Sequence, residues 1–93
     1  MAKFMVRVEL HGARRDDYET LHSEMADRGF SREVTSGDGV TYQLPTAEYV
    51  IREEAALDVV RSLAAEAAKT TGRKSAVIVA EYSRSAWVGL AQV

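Results

Sequence analysis

Every second residue from Phe4 to Leu10 is apolar, whereas from Tyr18 to Met25 the apolar spacing lengthens to three and four. This switch from a period of two to the helical period is made twice along the chain, and it limits the folds open to it. Phe4, Val6, Val8 and Leu10 share one side of a strand over 4–11, with Met5, Arg7, Glu9 and His11 on the other, the pattern of a half-buried strand. Gly12 breaks the alternation. Tyr18, Leu21, Met25 and Gly29 then predict a helix over about 15–28, with Asp16 or Asp17 near its N-cap and Gly29 ending it in the left-handed conformation.

Phe30, Arg32 and Val34 alternate with Ser31, Glu33 and Thr35 ahead of Ser36-Gly37-Asp38-Gly39, a tight-turn sequence whose glycines supply positive φ. Val40–Leu44 and Ala47–Arg52 form the returning arm of a hairpin. Pro45, which has no N–H to give a ladder, marks a bulge, a kink or an unpaired edge within that arm. Glu53-Glu54-Ala55-Ala56 predicts the opening of a second helix, with acids where the helix dipole favours them. Its apolar stripe is Leu57, Val60, Leu63, Ala64 and Ala67, and Gly72 ends it.

A last strand is expected from Ser75 to Tyr82. Val77-Ile78-Val79-Ala80 is apolar on both faces, which predicts cover on both sides, from a second subunit or from the C-terminal tail. That tail, 83–93, carries the only tryptophan, Trp87, and reads as a short fifth strand or a dimer-forming arm. The order strand, helix, strand, strand, helix, strand predicts an α+β fold. It is the ferredoxin-like βαββαβ two-layer sandwich, formed by residues 1–93 as one domain with an extra C-terminal strand or arm.

With 93 residues there is room for one domain, and 46% apolar with 28% charged residues is globular composition. Cysteine is absent, which excludes disulfides, thiolate metal sites and a cysteine nucleophile and makes the cytoplasm the expected compartment. No apolar run reaches the roughly 18 to 20 residues that span a bilayer, and the N-terminal apolar stretch is broken by Arg7 and Glu9, so neither a membrane partner nor a signal peptide is expected. A net charge of -2 gives no global basic field, so nucleic-acid binding would have to rest on clustered arginines.

The stretch Tyr18-x-x-Leu21-His22-x-x-Met25-x-x-x-Gly29-Phe30-Ser31-Arg32, followed by Asp38-Gly39 and Tyr42-Gln43-Leu44-Pro45-Thr46-Ala47-Glu48-Tyr49, resembles the GhoS family. These are small ferredoxin-like antitoxins of type V toxin–antitoxin systems, related in fold to the small dimeric nucleases of CRISPR adaptation. The resemblance implies an endoribonuclease, metal-assisted or metal-independent, that cuts a single-stranded toxin messenger RNA. Glu9 falls where the founding antitoxin has an aspartate at the end of its first strand. The substitution keeps an acid but lengthens its reach.

Glu9 and His11 lie on one strand face beside Arg7. The pair could share a divalent ion, with Glu9 as a metal ligand, or act as base and acid around a ribose 2′-hydroxyl; the alternative is a solvated face. Arg32, beside the shared motif, could stabilise a pentacoordinate phosphate. Arg7, Arg14, Arg15 and Arg28 are candidate phosphate contacts, with plain solvated charge as the alternative. His22 flanks the buried stripe of the first helix and reads as a half-buried helix residue or a functional imidazole. Tyr42, Tyr49, Tyr82 and Trp87 fit either base stacking or core and dimer contacts. Gly37-Asp38-Gly39 is a hairpin turn and lacks the strand-to-helix setting of a phosphate loop. The competing expectation is a non-catalytic dimeric interaction or regulatory domain.

Overall fold

The N-terminal alternation forms β1, Ala2–Leu10, in the computed structural model of the chain, which describes residues 1–93. Phe4, Val6, Val8 and Leu10 are buried from it, as their period requires. The chain then enters α1, Arg15–Asp27, whose N-cap is Arg14 and not an aspartate. Asp17, three residues on, accepts the Arg14 backbone N–H at 2.9 Å and so supplies the acidic half of a capping arrangement. Gly29 ends α1 as expected. Its φ is +92°, its N–H donates to Ala26 and that of Phe30 donates to Met25, the Schellman pattern, with Phe30 and Met25 both buried.

The hairpin is shorter than its sequence suggested. β2, Glu33–Thr35, pairs antiparallel with β3, Thr41–Gln43, around a turn in which Gly39, but not Gly37, takes positive φ. Pro45 divides the returning arm: the Glu48 N–H donates to the Pro45 carbonyl, Ala47 adopts φ +71°, and the chain reverses into β4, Glu48–Glu53. β4 leaves β3 and pairs antiparallel with β1. Because the pair Ala2–Glu53 carries β4 through Glu53, α2 begins later than expected, at Leu57, and runs to Lys69. Asp58, not Glu53 or Glu54, therefore stands in its first turn, and Leu57 is exposed instead of joining the stripe.

β5, Ser75–Tyr82, pairs antiparallel with the other side of β1, giving a three-stranded sheet in the order β4-β1-β5. Two reciprocal 2.8 Å bonds between Ser31 and Val50 continue the pairing beyond β4 to the chain entering β2. Both helices cover one face of this sheet. Val60, Ala64, Ala67 and Ala68 are buried in α2, and these small residues let it approach β1 and β5 closely, while α1 inserts the larger Leu21 and Met25. Full burial of a Leu, Phe or Met side chain contributes about 1.5–3 kcal/mol.

The other face of the sheet has no layer over it. Within the chain β5 is covered on one side only: Ala76, Ile78 and Ala80 face outward, and Ile78 is 67% exposed. The tail passes only the Lys3–Arg52 end of this face, where Ser85 and Trp87 join the residues around Tyr82. It ends on β3, where the Gln43 N–H donates to Ala91 and the Val93 N–H to Thr41, and Trp87 packs edge-on against Tyr42 at 5.6 Å. No helix is long and apolar enough to cross a membrane.

Candidate functional site

The register of β1 decides where the chemistry-bearing side chains lie. Glu9 pairs with Ala76, Arg7 with Glu48 and Ile78, Met5 with Val50 and Ala80, and Lys3 with Arg52 and Tyr82, so all of these share the open face. His11 follows directly after the strand, held by its N–H donating to the Lys74 carbonyl at 2.8 Å. Its Nε2 stands 3.7 Å from Glu9 Oε1, and both side chains are more than half exposed. Arg7 lies two residues back on the same face, 3.9 Å from Glu48. An acid, an imidazole and a guanidinium are therefore strung along the C-terminal end of the central strand on the open face.

Arg32 does not join them. Phe30 and Val34 are buried, and Arg32 shares their parity, so its side chain belongs to the helix-covered layer. There it lies close enough to His22 and Tyr49 for its charge to act on both. His22 Nδ1 is 2.6 Å from the Tyr49 hydroxyl. Burial, with the nearby Arg32 charge, holds the His22 imidazole below its ordinary value of 6.5. Burial also pushes the Tyr49 phenol up to about 12, the Arg32 charge opposing. Sequence reasoning named Arg32 in one catalytic set with Glu9 and His11; the alternation of Phe30, Arg32 and Val34 carried the signal that puts it in the other layer of the chain.

The remaining arginines divide in the same way. Arg28 is bound to Glu24 at 2.9 Å and reaches Glu66 of α2 at 4.0 Å, which makes it a tie between helices. Arg15 lies 3.9 Å from Glu19, and Arg14 is exposed at the start of α1. Only Arg7 of the four lies on the open face.

Two cations not singled out from sequence do lie there, Lys3 and Arg52. They line an open groove of about 350 Å³ together with Tyr82, Trp87, Ser31 and Glu33. Lys3 Nζ sits 5.2 Å from the centre of the Tyr82 ring and donates to the Ser83 carbonyl at 3.0 Å. Their parity on β1 and β4, matching Arg7 and Glu48, was the available signal. Tyr49 is buried and offers no free ring, whereas Tyr42 and Trp87 meet edge-on and are both half-buried.

No group of three or more His, Cys, Asp or Glu side chains is placed to hold a metal ion. At the end of β1 the donors are Glu9 and His11 alone, fewer than the three or more protein ligands of a dedicated metal cage. No protein-family model matches the chain, and no curated protein matches it significantly.

Proposed function

We infer that the chain is an endoribonuclease of the GhoS-like kind, a ferredoxin-like sandwich whose open sheet face receives single-stranded RNA. One observation carries this reading. The Glu9–His11 pair and the groove bearing Lys3, Arg52, Tyr82 and Trp87 lie on the same uncovered face. Aromatic side chains on an open sheet suit unpaired bases, and the cations beside them suit phosphates.

In this reading Glu9 removes the proton from a ribose 2′-hydroxyl, whose oxygen attacks the adjacent phosphorus. The bond to the 5′-oxygen breaks, His11 gives that oxygen a proton, and a 2′,3′-cyclic phosphate remains on the upstream fragment. Arg7 takes the phosphate-stabilising role, because it shares the face with the pair. Glu9→Gln and His11→Ala should each lower cleavage of single-stranded RNA by about a hundredfold or more while leaving RNA affinity within a few-fold. Lys3→Ala with Arg52→Ala should weaken binding instead, and the wild-type salt slope should be about −2 for three phosphate contacts. RNA left intact by wild-type protein, with and without chelator, would sink the reading.

A second reading is a non-catalytic homodimeric interaction domain. It is favoured by the apolar part of the same face, where Ile78 is exposed beside Ala80, Met5 and Val50. It calls for a dimer in light scattering and no cleavage.

A further inference from the structure

Three arginines of the chain are half-buried: Arg28, Arg32 and Arg73. Arg28 is neutralised by Glu24, and Arg73 by Asp17 at 2.8 Å. Arg32 alone has no carboxylate partner. Its Nε is buried with no acceptor, and the only hydrogen bonds made by the residue are to its backbone carbonyl, from the Leu44 N–H and from Gln43 Nε2. A buried N–H with no acceptor is costly, and the half-buried guanidinium that carries it has no protein partner for its other donors.

It borders an open notch of about 350 Å³ between α1 and β2, lined also by His22, Phe30, Glu33 and Gln43. The Tyr49 hydroxyl fixes the imidazole there. With the phenol held protonated up to about 12, it can donate its proton to His22 Nδ1, leaving Nε2–H as the ring's remaining donor. Glu33 is exposed and makes no ion pair with Arg32.

We propose that this notch is an oxyanion site that takes a phosphate group, with the Arg32 guanidinium and the His22 Nε2–H as its donors. The guanidinium fork matches phosphate oxygens, and the imidazole adds a neutral donor from the neighbouring element. The site lies in the helix-covered layer, away from Glu9 and His11, and does not rest on the cleavage reading. The phosphate could be borne by a small molecule or by the end of an RNA strand.

The chain has only two histidines, so each can be followed in the imidazole NMR spectrum of the full protein as inorganic phosphate is added. The His22 resonances should shift saturably, with a Kd of about 1 mM. Arg32→Gln should weaken this at least about tenfold, and Arg32→Lys should fall between, keeping the charge without the fork. Unchanged amide chemical-shift dispersion in each variant reports an intact fold. No saturable His22 shift in the wild type, or the same shift in Arg32→Gln, overturns the site. Two oligoribonucleotides of one sequence, with and without a 5′-phosphate, are then added to the Glu9→Gln variant. A tighter response only to the phosphorylated strand assigns the site to a strand end. A response no tighter than that to inorganic phosphate assigns it to a small phosphorylated ligand.

Discussion

The bond between His22 and Tyr49 makes a half-buried imidazole depend on a fully buried phenol. Tyr49→Phe leaves His22 Nδ1 without its partner, and a loss of about 1 kcal/mol is expected in urea unfolding. The depressed His22 pKa gives this region a pH dependence of definite sign. The unfolded chain takes up its proton near 6.5 and the folded chain only at lower pH, so stability is full above 6.5 and falls as pH drops toward the folded value. Asp17 and Asp38, whose carboxyls are held below their ordinary 3.8, act only in more acid solution. Urea midpoints at neutral pH and near pH 5.5 should therefore converge in His22→Gln, and an unchanged difference would count against this origin. Arg32 shows what was legible at this scale. Its placement followed from the parity of Phe30 and Val34, whereas the pairing of His22 with Tyr49 joins residues 27 apart and no local pattern announces it.

Among the elements, those with a long unbroken period were readable: β1, α1 with its Gly29 end, and β5 matched their patterns closely. The region after Thr35 was not, because β3 and β4 are short and their partners are decided by distant chain. Pro45 marked a break, but only the pairing of Glu48–Glu53 with β1 shows that the chain changes sheets there. The tail is similar. Its apolar residues signalled burial, but only Trp87 and Leu90 are half-buried while Val88 is 95% exposed, and backbone pairing holds the tail to the edge of β3. Removing residues 84–93 should strip Tyr42 of Trp87 and strip β3 of its two backbone bonds to the tail. Amide exchange should then speed up in β2 and β3 while β1 stays protected. A loss of 1 kcal/mol would lower Tm by roughly 4–8 °C in a domain of this size. Uniformly faster exchange across β1 would show that the tail supports the main sheet.

At the scale of the whole molecule the two faces of the sheet differ in kind. The covered face holds the continuous core, and the open face carries charge, aromatic rings and exposed aliphatic surface together. That division followed from the alternation of β1, but its extension across β4 and β5 depended on a register that the sequence does not state. β5 closes one side of the sheet as an edge strand, and from Ser75 to Ala80 it bears no charge; Lys74 and Glu81 flank that run. Such an edge is an adhesive strip for other strands, kept apart mainly by like-charge repulsion between molecules. Here that repulsion is thin, at a net charge of -2, and it vanishes near the sequence pI of about 5.6. Turbidity in concentrated solution should peak around that pH, and Ile78→Lys, which puts a cation in the middle of the strip, should suppress the peak rather than merely move it. A peak of undiminished height at the variant's new pI would place the stickiness elsewhere. The β5 edge thus makes colloidal behaviour, as well as recognition, a property of the uncovered side of this sheet.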